Sequence, residues 1–143
     1  MFASLPFAPV VRMSTPFMFE PSPLTVICPL SGGAAAVDLV EIGDHCMFAN
    51  GCFVTDANHR FDDPDQPITW QGFSSKGPTR VGDNVWCGAN VVITSGVTVG
   101  ERSVIGANSV VTTDVPPFSI AAGAPAKVLR RVEYEASASA END

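Results

Sequence analysis

Positive charge is scarce in this chain. Eight lysines and arginines stand against fifteen aspartates and glutamates in 143 residues, for a net charge of −7. A sequence-independent nucleic-acid binder needs a basic surface to displace counterions, so that class is set aside. Long apolar runs are missing too: no stretch approaches the roughly 20 residues that span a bilayer. The opening MFASLPFAPVVRMSTPF has no basic residue ahead of its apolar part and is interrupted by Pro6 and Pro9. No cleavable signal is expected from it. Cysteine is sparse, and Cys28, Cys46, Cys52 and Cys87 are too widely spaced for a disulfide framework or a zinc knuckle. The cytoplasm is the expected compartment. Apolar residues, by contrast, make up 45% of the chain and charged ones 16%. One domain with a real core follows, and wholesale disorder does not.

The core has a period of six. From Val81 the chain divides into VGDNVW, CGANVV, ITSGVT, VGERSV, IGANSV and VTTDVP. The first place is always apolar, the second small and usually glycine, and the fifth small or β-branched. The fourth holds Asn84, Asn90, Gly96, Asn108 and Asp114, residue types that suit a left-handed backbone at a tight turn; only Arg102 departs. An earlier block, AVDLVE, IGDHCM, FANGCF and VTDANH, follows the same grammar and puts Cys46 and Cys52 at fifth places. Cys87 takes a first place. Free cysteine suits such small buried positions, so packing is the expected role of all three. Six residues are too few for a helical face or for hairpins, which recur every 8–12 residues. A short strand and a sharp turn per hexad do fit, with three hexads closing one coil of a triangular solenoid.

This repeat resembles that of the hexapeptide transferases, acyltransferases built on a left-handed parallel β-helix and a known exception to right-handed crossovers. The similarity is to the maltose and galactoside O-acetyltransferase branch. It covers about residues 36–131 and is carried by GDNVWCGANVVITSGVTVG and DVPPFSIAAGAPAKVLRR. The expected architecture is therefore all-β: an irregular segment at 1–35, a left-handed β-helix domain at 36–131, and a polar tail at 132–143, disordered after about Tyr134. The resemblance also implies a homotrimer, with acetyl-CoA as cosubstrate and a sugar or other hydroxylated small molecule as acceptor.

Order stops at His59. It is the sixth residue of VTDANH, read as a corner of the prism, and the repeat resumes only at Val81. Residues 60–80 form a loop thrown out of the prism, with Phe61, Trp70 and Phe73 as apolar surface that a neighbouring subunit would cover. Loops of this length in a compact domain are commonly functional. In the resembling enzymes the catalytic histidine lies at the base of such a loop, which places it on His59. A neutral imidazole can take the proton of an acceptor hydroxyl as its oxygen attacks a thioester. Asp56 and Asn58 stand beside this base, either to orient it or to meet the acceptor; Asn58, at a fifth place, would otherwise point inward. Trp86 shares the sixth place with His59 and near-site standing in the family. Glu41, 18 positions before His59, would lie one coil below it.

His45 falls at a turn-like fourth place, and two histidines cannot supply the three ligands of a catalytic zinc. No metal is expected. By position, the family's coenzyme contacts fall on Ala89, Ala107, Thr112, Lys127 and Arg130. The two alanines suit a slot for the pantetheine arm, and the cations suit phosphates. N-acetylation of an amino sugar and a catalytically silent β-helix scaffold are the alternatives.

Overall fold

A computed structural model describes residues 37–134 together with the strand Val10–Met13. The rest of the expected irregular segment and the tail beyond Tyr134 lie outside the described residues. The chain winds as a left-handed parallel β-helix with three faces. On face one, β1 (Val10–Met13), β2 (Leu39–Ile42), β7 (Thr79–Val81) and β10 (Thr98–Val99) stack in that order. Face two stacks β3 (Met47–Phe48), β8 (Trp86–Cys87), β11 (Val104–Ile105) and β13 (Ser119–Gly123), closed by the antiparallel β14 (Ala126–Arg131). Face three stacks β4 (Phe53–Val54), β9 (Val92–Ile93) and β12 (Val110–Val111). Two further strands, β5 (Asn58–His59) and β6 (Phe73–Ser74), pair antiparallel away from the prism. The strand β1 is an element that the irregular sequence of the N-terminal segment does not announce.

Trp86 pairs with Val104, and Val92 with Val110, eighteen positions on in each case. That is one coil. Met47, however, pairs with Trp86, and Phe53 with Val92, thirty-nine positions on and twenty-one more than a regular coil. The surplus is the excursion between β4 and β7.

First and fifth places point inward together: Val81, Val85, Cys87, Val91, Ile93, Val97, Val99, Ile105, Val111 and Val115 are all buried in one core. Each β-branched side chain lies against its counterparts one coil above and below, which is how a thin solenoid stays cohesive. The sixth place opens each strand and faces outward, as at Trp86, Val92, Thr98, Val104 and Val110. The corners instead belong to the second to fourth places, which corrects the placing of the sixth residue at a corner. At the fourth place Asn84, Asn90 and Asn108 have φ of 55°, 57° and 58°. Arg102 takes the same left-handed turn at φ 53°, its side chain notwithstanding. Asp114 does not; its carboxylate accepts the Thr98 N–H at 2.8 Å instead.

Candidate functional site

The excursion leaves the corner between faces three and one. It departs after the buried Ala57 and rejoins the prism at the buried Thr79, two residues earlier at each end than the repeat suggests. His59 is therefore not at a prism corner but on the first strand of a protruding ribbon. It pairs with Phe73, and the two rings lie 4.5 Å apart between centroids at 38°. Phe73 thus packs on His59 within its own chain. Neighbouring Asn58 is exposed and pairs with Ser74, so its fifth place does not turn it inward.

Beyond the ribbon the excursion is organised by side chains. The Gln71 amide donates to the carbonyls of Asp63 and Gln66, both at 2.8 Å, and accepts the Asp63 N–H. Asp63 in turn caps the Asp65 N–H at 2.9 Å. Arg60 grips Asp62 with two nitrogens, and this guanidinium holds the Asp62 carboxyl below its usual range. The acidic run is thus a loop scaffold.

Asp56 is fully buried, and its two carboxylate oxygens accept the N–H groups of Val37 and Asp38 at 2.9 and 2.6 Å. The carboxylate holds the chain as it enters β2 rather than facing the ribbon. Glu41 lies under Arg80, not under His59, because the excursion displaces the count; the two form an ion pair of 2.7 Å.

The residues assigned to the coenzyme divide over the prism. Ala89 and Ala107 stack at the corner between faces two and three, where the Asn108 N–H donates to the Ala89 carbonyl at 2.8 Å. Gly88 permits this approach, since a Cβ there would meet the Ala107 nitrogen at 2.7 Å. Lys127 is exposed and pairs with Ala122, whose Cβ lies 2.9 Å from where a Cβ on Gly106 would be. Lys127 therefore belongs near the alanine corner. Trp86 and Arg130 share one outward column of face two, with Met47, Val104 and Ile120. Thr112 is exposed at the next corner, the one from which the ribbon departs. An open groove of about 650 Å³ on face one, lined by Glu41, Arg80, Asp83, Thr98 and Glu101, contains none of these residues.

Comparison with known proteins bears on this arrangement. The family pattern described as bacterial transferase hexapeptide (six repeats) matches residues 78–113. Those residues carry the hexapeptide repeat of this transferase family. A protein of Mycobacterium tuberculosis named as a probable acetyltransferase, Rv3034c, is 44% identical over 101 residues, covering 69% of this chain and 33% of that protein. A maltose O-acetyltransferase from Clostridium difficile is 41% identical at a TM-score of 0.59, over 67% of this chain and 50% of that one. A galactoside acetyltransferase solved in complex with coenzyme A is 38% identical at a TM-score of 0.58, over 66% and 46%. This hexapeptide-repeat chain thus spans a third to a half of the length of the relatives it matches.

Sequence reasoning missed the groups that fix the ribbon. Ser95 and Thr79 are buried hydroxyls at its base, and Gln71 is its clasp. Ser95 occupies a third place, where the repeat makes no demand.

Proposed function

We propose that this protein transfers an acetyl group from acetyl-CoA to a hydroxyl of a sugar or sugar-containing acceptor. The observation that carries the reading is the position of His59, exposed on a ribbon that is built into a hexapeptide prism and held against Phe73. Stacking limits the imidazole to few orientations while leaving its edge open to a substrate. In the reaction His59 accepts the acceptor's hydroxyl proton as that oxygen attacks the thioester carbonyl. The tetrahedral oxyanion then collapses and expels the coenzyme A thiolate, which takes up the proton. Asn58 and Trp86 border the reacting groups, and Asp56 acts from below through the backbone.

Ala89 and Ala107 line the pantetheine slot with Thr112 at its far end, while Lys127 and Arg130 meet the phosphates. On one prism the alanine corner and the ribbon corner are separated by the width of face three. The complete site accordingly forms between two copies of the chain, in a homotrimer. A reducing cytoplasmic setting suits Cys46, Cys52 and Cys87, which are free thiols.

The test is consumption of acetyl-CoA thioester in the presence of maltose, a galactoside and glucosamine in turn, with products weighed by mass spectrometry. A sugar carrying one added acetyl on oxygen supports the reading. Acetylation confined to the amine of glucosamine would replace it with N-acetyl transfer, and no transfer to any sugar would leave the scaffold reading.

A further inference from the structure

The ribbon carrying His59 is joined to the prism at a narrow neck that buried hydroxyls cross. Ser95 lies on the coil above, at the turn between faces three and one, and is 3% exposed. Its Oγ donates to the Asp56 carbonyl at 2.5 Å and accepts the Lys76 N–H at 2.8 Å. Asp56 lies three residues before His59, and Lys76 three residues after its partner Phe73. Below the β5–β6 pairing, this single oxygen thus bonds to both the outgoing and the returning chain.

The surroundings support the join. Next along the turn, Gly96 has φ of +76°, and a Cβ there would meet the Lys76 Cβ at 2.8 Å, so the returning leg lies directly on the turn. One step further down, the Thr79 hydroxyl donates to the Thr55 carbonyl at 2.9 Å and accepts the Gly96 N–H at 3.0 Å. Hydroxyls therefore cross-link the neck at two levels, and Ser95 is the one on the coil above that bonds to both the outgoing and the returning chain.

We infer that Ser95 is a positioning residue, whose hydroxyl joins the legs of the ribbon and thereby sets where the His59 imidazole stands relative to the prism. For catalysis this rests on the reading of His59 as the base; for geometry it does not. Without the hydroxyl, the Asp56 carbonyl and the Lys76 N–H are left without their shared partner in a buried neck. The neck then loosens below the β5–β6 pairing, and the imidazole shifts while Ala89, Ala107, Lys127 and Arg130, away from this corner, stay in place. A misplacement of about 1 Å at a reacting group can lower turnover by about 100-fold.

Ser103 supplies the control. It is equally buried and its hydroxyl also bridges two backbone groups, donating to the Pro116 carbonyl and accepting the Ser119 N–H, but it sits at the corner between faces one and two. The experiment compares the full-length wild type with Ser95→Ala, Ser95→Thr, Ser103→Ala and His59→Ala. The chain has only two histidines, so the ring resonances of His59 and His45 are separable in carbon–proton NMR spectra, with His59→Ala giving the assignment. Turnover is followed with acetyl-CoA and maltose or p-nitrophenyl β-galactoside.

In Ser95→Ala the His59 resonances should move while those of His45 stay. The kcat should fall about 10- to 100-fold with the KM for acetyl-CoA within about twofold. Ser95→Thr should restore most of the kcat, and Ser103→Ala should lose melting temperature but keep both kcat and the His59 signal. Ser95→Cys, which keeps the volume and weakens both bonds, provides the same comparison if the alanine variant does not fold. Unmoved His59 resonances in Ser95→Ala, or an equal kcat loss in Ser103→Ala, would overturn the inference. Full activity in His59→Ala would overturn the base assignment instead, and the spectra would still decide whether Ser95 places the ring.

Discussion

Cys87 has no exposed surface, and burial, followed by the proximity of Cys52 and Cys46, pushes its thiol up to about 12. A raised acid favours the neutral form in the fold. Its contribution to stability is complete below the unfolded value near 9.0 and is lost as pH rises towards 12. The loss amounts to at most about 4 kcal/mol, at 1.36 kcal/mol for each unit of displacement. Denaturant titrations should therefore show stability falling between these limits, with a shallower fall in Cys87→Ala. Iodoacetamide at pH 8 should alkylate Cys87 only after unfolding. Alkylation in the native protein at the rate of a free thiol would show that this position is not the packed, inert one described. The residue scale was partly legible: hexad places assigned all three cysteines to packing, and Cys87 lies in the core with Cys46 and Cys52 partly buried against it.

At the scale of elements, each turn depends on its second-place residue. A Cβ on Gly82 would lie 2.8 Å from the Glu101 nitrogen on the next coil, so Gly82→Ala must push two coils apart. Overpacking of this kind costs about 1–3 kcal/mol. A melting temperature lowered by several degrees is the expected result, and an unchanged one would mean that the coils are not in this contact. The prism could be read from the sequence because every hexad repeats the same demands of burial and turn geometry. The ribbon could not. VTDANH satisfies the grammar formally, so the count runs on to His59, although the chain has already left the coil. Its pairing partner, Phe73, lies in aperiodic sequence among Gly and Ser, where no pattern announces an antiparallel strand. Strand β1 escaped for a related reason. Val10 pairs with Leu39, eleven positions more than a regular coil, so the repeat carries no phase across that gap.

The whole molecule is a thin prism with apolar groups left outside. Met47 and Trp86 are about half exposed on face two, and Phe61 and Trp70 are 77% and 76% exposed on the excursion. Small domains of this kind are commonly completed by oligomerisation, and closed symmetry makes every cleft between copies equivalent. The proposed trimer gives these surfaces a partner and brings the ribbon of one copy to the alanine corner of another. Mixing two inactive variants tests that shared site. His59→Ala removes the base, and Lys127→Glu with Arg130→Glu removes the cations for the coenzyme phosphates. Each variant alone should turn over acetyl-CoA and sugar at least about 100-fold more slowly than the wild type. Unfolded and refolded together, they should form mixed trimers in which some clefts join an intact ribbon to an intact coenzyme corner, and activity should return well above either parent. Mixed trimers confirmed by mass that recover no activity, or a His59→Ala parent as active as the wild type, would contradict the account.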